Sequence, residues 1–249
     1  MKLILVFFGL LSYSVFGQTS IQILYKSESI LNHDEIDKLF PNDVDTRNQI
    51  ISEASKQRAY SLNVKNNFSV FMENSKLYNQ LQDNSTKIDF GNENARFFKD
   101  LKNKISFEEK ILNKTYLVKD SLPKLKWKII NEKKKWGELE LKKATLFDHK
   151  DSIEIIAWYA PKISISDGPE VFYGLPGLII ELQINYLQKT NPDIVKTYFY
   201  RVLKIEFESI EDIVLPKKLK IISKEEFQKL EEKFNQKTID MLSGGVEKD

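Results

Sequence analysis

Leu178-Ile179-Ile180-Glu181-Leu182-Gln183-Ile184-Asn185 alternates apolar and polar side chains and follows directly on a stretch crowded with turn-forming residues. Apolar residues at every second position put Leu178, Ile180, Leu182 and Ile184 on one face of a strand and Glu181, Gln183 and Asn185 on the other, as a half-buried sheet requires. The expected strand runs from Leu178 to Leu187. The preceding stretch, Pro161 to Gly177, holds three of the chain's nine Gly and three of its seven Pro. An even spread would place less than one of each there, so this backbone is closely specified. Pro161 cannot donate to a ladder and is expected to end the strand that contains Trp158. Asp167-Gly168-Pro169 reads as a turn, and Pro176-Gly177 suits the two central positions of a type II turn. A rigid loop carrying Trp158, Tyr159, Phe172 and Tyr173 thus joins two core strands. Those four aromatics are the candidate binding residues, because sites favour rigid loops with amphipathic aromatics. The competing reading makes them a core plug.

Outward from this loop the chain is strand-rich. Ile21 to Lys26 reads as a first strand, and His33–Phe40 and Asp43–Gln57, separated by Pro41 and with apolar residues at helical spacing, read as two short helices or an ordered insertion. Tyr60, Leu62 and Val64, then Phe68, Val70 and Met72, have a period of two about Asn66-Asn67 and predict a hairpin. Glu73 to Glu93 is the most loop-like stretch. Strands are expected at Ile105–Leu112, Tyr116–Val118, Leu125–Ile130, Leu139–Phe147, Ile153–Ala160 and Ile194–Phe207, with joints short enough for antiparallel pairing. The last element is a helix: Ser223 and Glu226 form a capping box, Phe227, Leu230, Phe234 and Met241 make an apolar stripe, and Gly244-Gly245 stops it. The fold class expected is mainly β with some α, a large twisted and mostly antiparallel sheet with a C-terminal amphipathic helix. The element order is similar to that of half-barrel carriers.

Met1 to Gly17 has a basic start, an apolar middle and a small residue at its end, the layout of a secretory signal peptide. Its apolar run of about 14 residues is shorter than the roughly 20 that a spanning helix needs. The expectation is a leader over residues 1–17 and one β-rich domain over 18–249, exported to the periplasm or beyond, with no transmembrane helix after the leader is removed.

Trp158-Tyr159 with Pro161, Gly168-Pro169, and Phe172-Tyr173 followed by Gly174-Leu175-Pro176-Gly177-Leu178-Ile179 resembles the hallmark of the GLPGLI family, exported proteins of Gram-negative bacteria. Trp127-Lys128-Ile129 and Lys143-Ala144-Thr145 are similar to the family's upstream pattern. The resemblance runs from about Tyr116 to Leu182. It implies a cell-envelope or secreted protein of unknown function, and it carries over motif positions but no catalytic residue.

Composition narrows the rest. There are 38 basic and 36 acidic residues, only four of them Arg, so nucleic acid is not an expected partner. Without Cys there is neither disulfide nor thiolate chemistry, and the two imidazoles, His33 and His149, stand in loop-like or helix-start surroundings. No phosphate loop, dinucleotide fingerprint or Gly-x-Ser-x-Gly elbow occurs, and no metal or other cofactor is expected. Glu108 and Glu109 alternate faces on a strand and make a poor dyad. The reading favoured is an envelope binding or carrier protein for a hydrophobic ligand or a peptide, without turnover. The alternatives are a module docking on an outer-membrane protein and a carboxylate-dependent hydrolase.

Overall fold

The computed structural model describes residues 20–74, 95–187, 195–207 and 210–243. The expected leader, nearly all of the polar stretch after Glu73, and Gly244-Gly245 lie outside these. The described residues form one twelve-stranded sheet and three helices, so the mainly β class expected from sequence holds. The strands are β1 Ser20–Leu31, β2 Arg58–Lys65, β3 Phe68–Glu73, β4 Phe97–Asp100, β5 Ile105–Ile111 and β6 Thr115–Ser121. There follow β7 Lys128–Trp136, β8 Leu139–Asp148, β9 Ile153–Ala160, β10 Leu178–Tyr186, β11 Val195–Glu206 and β12 Lys220–Ser223. Helices α1 His33–Leu39 and α2 Val44–Ala54 follow β1, and α3 Lys224–Ser243 follows β12.

The strand order is β12-β6-β5-β4-β3-β2-β1-β11-β10-β9-β8-β7, antiparallel throughout except for the β12–β6 pair. Two meanders therefore flank the central β1. The link from β6 to β7, residues 122–127, joins strands ten places apart. In a flat sheet that separation is about 48 Å, whereas the link reaches only about 25 Å fully extended, so the sheet must roll up. It remains open, with β7 and β12 as its edges.

The hairpin at Asn66-Asn67 forms because both residues take the left-handed conformation, φ 53° and 64°, which suits the right-handed twist of the flanking strands. The capping box is present: Glu226 N–H donates to Ser223 Oγ at 3.1 Å, and Ser223 N–H to Glu226 Oε2 at 2.8 Å. The apolar stripe on α3 is only half used. Phe227 packs on Tyr116, Val118 and Ile222, while Phe234 and Met241 are exposed.

Two expectations about β10 need correction. A bulge between Ile179 and Glu181 shifts the register, pairing Leu178 with Ala160 and Ile179 with Tyr159, then Glu181 with Trp158 and Leu182 with Ala157. Ile179, Leu182 and Ile184 thus share the Tyr159 face, and Leu178 lies on the Trp158 side. Pro176-Gly177 is not a type II turn either. Gly177 N–H donates to Leu175 O across Pro176 at 2.8 Å, and Leu178 N–H goes instead to Ile163 O at 3.2 Å. The strands β4 and β12, short and without a long apolar run, were not expected from sequence.

The main core lies on the inner face of the roll, where Ile21, Ile23, Tyr25, Leu62, Ile179 and Leu182 are almost wholly buried. On the outer face, Val70, Phe98 and Leu117 are covered by Ile213, Leu215 and Leu219.

Candidate functional site

The Gly/Pro-rich loop, residues 161–177, lies across the inner face, and it and the start of β10 are held by side chains of β1, β4 and the β6–β7 link. Tyr25 on β1 donates its hydroxyl to Ile179 O at 2.6 Å. Lys99 on β4 forms an ion pair with Asp167 at 2.6 Å, both side chains wholly buried, and also donates to Gly168 O and Glu170 O. Trp127 Nε1 in the β6–β7 link donates to Tyr173 O at 2.8 Å, and Tyr173 donates its hydroxyl to Pro123 O at 2.9 Å. Two glycines allow the close approach. A Cβ on Gly168 would lie 2.6 Å from Ile179 Cδ1, and one on Gly177, at φ 149°, 2.3 Å from Ala160 O.

The structure separates the four aromatics singled out by sequence. Trp158 is on the outer face, with Lys134 Nζ 4.4 Å from its ring centroid and Lys134 paired to Glu181. Tyr159 points into the core. Phe172 packs against Trp127, ring centroids 6.3 Å apart, and Tyr173 is held at Pro123 as described. Among the motif positions, Leu175, Leu178 and Ile179 are buried and Gly174 is open to solvent at φ 92°. His149 lies edge-on to Phe147, 4.7 Å between centroids.

A cleft of about 550 Å³ opens beside the loop, between the inner face of β3 to β6 and the first turns of α3. Its apolar lining includes Tyr60, Phe71 and Phe227, with Tyr60 stacked on Phe71 at 5.1 Å. Its acids include Glu108, Asp120 and Glu170. Glu108 and Asp120 come from neighbouring β5 and β6, whereas Glu170 comes from the loop, at a left-handed φ of 47° that side-chain-bearing residues seldom adopt. None of the four sequence-chosen aromatics lines this cleft.

The acids are not equivalent. Burial raises the Glu170 pKa, and the charge of Glu108 adds to that; the hydroxyl of Tyr200, which donates to Glu170 Oε1, and the charge of Lys99 oppose it without cancelling it. Burial also pushes the Asp120 carboxyl up, yet Lys224, 2.9 Å away, and the Ser121 N–H hold it below the ordinary range. Burial pushes the Tyr60 phenol up to about 12. The cleft thus offers one carboxyl inclined to keep its proton, ionised acid beside it, and aromatic surface on the same wall. Such a set can hold a ligand with apolar and hydrogen-bonding parts, and it can also give or take a proton.

Sequence reasoning missed Glu170, although a signal existed: it is the single charged residue from Gly168 to Ile180. Lys99 carried no such signal in a Lys-rich chain.

Residues 124–181 match the model of a family described as "Protein of unknown function (Porph_ging)". That segment runs from the β6–β7 link into β10 and includes the whole loop. No curated protein matches the chain. Among solved structures, PNGF-II in a C2 crystal form is similar with a TM-score of 0.55 at 15% identity, over 87% of this chain and 33% of that one. PNGF-II in a P21 form gives 0.53 at 14% identity, over 87% and 34%. The chain spans about a third of the length of these proteins, and the likeness is one of fold.

Proposed function

We propose that this chain is an exported GLPGLI-type protein of the bacterial envelope that binds an amphipathic ligand, such as a peptide, in the cleft beside Glu170. It holds the ligand without turnover. The observation that carries the reading is the joining of a stacked aromatic wall, Tyr60 on Phe71, with a half-buried, hydrogen-bonded carboxyl in one cavity of about 550 Å³. The Gly/Pro-rich loop is the scaffold that presents Glu170. Export rests on the basic, apolar and small-residue order of residues 1–17. The Gly174-Leu175-Pro176-Gly177-Leu178-Ile179 motif supports the family assignment, and it falls within the segment that matches a family of unknown function.

Native mass spectrometry of the protein isolated from its own envelope tests this. The expected result is a retained small molecule or peptide that is lost in Phe71→Ala and weakened in Glu170→Gln, while Trp158→Ala on the outer face keeps it. Retention unchanged in Phe71→Ala, or no retained ligand at all, refutes the reading. A second reading, a carboxylate-dependent hydrolase, is favoured by one observation: Glu170 has a raised pKa with the charge of Glu108 close enough to contribute. Under that reading Glu170→Gln abolishes turnover of a bound ligand while leaving its retention intact.

A further inference from the structure

Lys99 and Asp167 form an ion pair whose two side chains have no exposure to solvent, with Nζ 2.6 Å from Oδ1. The two residues are 68 positions apart, one on a core strand and one in the Gly/Pro-rich loop. Lys99 Nζ also donates to Gly168 O at 2.6 Å and to Glu170 O at 2.7 Å, so its head group is fixed in place. Asp167 Oδ1 takes a second hydrogen bond from Gly168 N–H at 2.8 Å, whereas its Oδ2 is buried with no hydrogen-bond partner among the described residues. A buried carboxylate oxygen left without a partner is costly, and no contact within the pair compensates it.

We propose that Lys99 and Asp167 condense into an intramolecular isopeptide bond that locks the loop to β4. The Nζ–Cγ bond forms and the Cγ–Oδ2 bond breaks. The unpartnered Oδ2 leaves with two protons of the lysine ammonium as one water, and one N–H remains on the new amide. Charge balances without oxidant, metal or external proton. The reacting groups are held in contact, where enforced proximity replaces a bimolecular encounter, and the surrounding core excludes the water that would reverse the step. Burial lowers the Lys99 pKa even against the charge and hydrogen bond of Asp167, which favours the neutral, nucleophilic amine. The bond would give a chain without cysteine a covalent cross-link. The proposal does not depend on whether the cleft holds a ligand.

Intact-mass measurement of the purified, folded and then denatured full chain tests it. The expected mass is that of the chain less one water, with a branched tryptic peptide joining the Lys99 and Asp167 segments and no cleavage at Lys99. Lys99→Arg, which cannot condense, is expected at its full sequence mass. Asp167→Asn is expected to lose ammonia instead and to reach the same final mass as the unaltered protein. If Lys99→Arg does not fold, the unaltered chain and Asp167→Asn decide by themselves. A full, unshifted mass after prolonged incubation of the folded chain overturns the proposal. So does a loss of water that maps to a succinimide at Asp167-Gly168, which mild alkali reopens and an isopeptide bond withstands.

Discussion

Replacing Gly177 by Ala is expected to destabilise the protein far more than the same change at Gly174, although both glycines belong to one hexapeptide and both have positive φ. At Gly174, φ is 92° and nothing among the described residues lies within 4 Å of the added methyl. The cost there is conformational alone, about 1–2 kcal/mol. At Gly177, φ is 149°, and the methyl would sit 2.3 Å from Ala160 O, 2.7 Å from Ala160 C and 2.9 Å from Pro161 Cα. All three are backbone atoms at the point where β9 ends and pairs with β10 through Ala160 and Leu178, so none can swing aside. Backbone strain of about 1–3 kcal/mol and forced overpacking of about 1–3 kcal/mol together give about 2–6 kcal/mol. Urea unfolding followed by tryptophan fluorescence measures both variants, with the midpoint shift read at constant slope. Equal midpoints for the two variants, or a Gly177→Ala cost below that of Gly174→Ala, would refute the steric account of the motif.

Three further changes probe other parts of the structure. Because burial raises the Glu170 pKa, folding favours its protonated form, so its contribution is fully present below the unfolded carboxyl pKa and is lost as pH rises through the folded one. Glu170→Gln is therefore expected to raise the melting temperature relative to the parent increasingly from pH 5 to pH 8; a constant difference across that range would contradict it. Tyr25→Phe leaves Ile179 O without its buried donor and is expected to cost about 1–3 kcal/mol in chemical denaturation, with secondary structure unchanged by circular dichroism. Ser223→Ala removes the acceptor for Glu226 N–H and is expected to cost about 1 kcal/mol, with faster amide exchange confined to the first turns of α3.

Most of the fold was legible because its elements announce themselves locally. The Asn66-Asn67 hairpin, the Pro41 break between α1 and α2, and the Ser223/Glu226 capping box each rest on a few adjacent residues, and all three are present. The errors fall where distant parts of the chain decide the outcome. The bulge after Ile179 reverses the side taken by Leu178, since ladder register depends on β9 as well as on the alternation within β10. Strand β12 exists only because β6 offers an unpaired edge to a four-residue segment. The polar side of the cleft was illegible for the same reason. Glu108 and Asp120 meet across the β5–β6 ladder, but Glu170 lies in a distant segment, and only the rolling of the sheet and the crossing of the loop bring it to the same cavity.

The crowding of Gly and Pro in residues 161–177 then has a physical explanation that does not require the motif itself to touch a ligand. A loop crossing the inside of a rolled sheet must bring its backbone against strands from both wings, and its peptide groups must find partners there. Gly168 and Gly177 remove the Cβ atoms that would prevent that approach, while Lys99 and Tyr25 supply donors to Gly168 O, Glu170 O and Ile179 O. Glu170 lies within this tightly held stretch, two residues after Gly168, at a left-handed φ fixed by its neighbours. Its carboxyl therefore reaches the cleft from a backbone anchored to β4 and β10. Loosening any anchor should displace Glu170 before it unfolds the sheet, so the Tyr25→Phe variant is expected to weaken ligand retention in the cleft even under conditions where it remains fully folded. Retention equal to that of the parent would show that the loop and the cleft are mechanically independent.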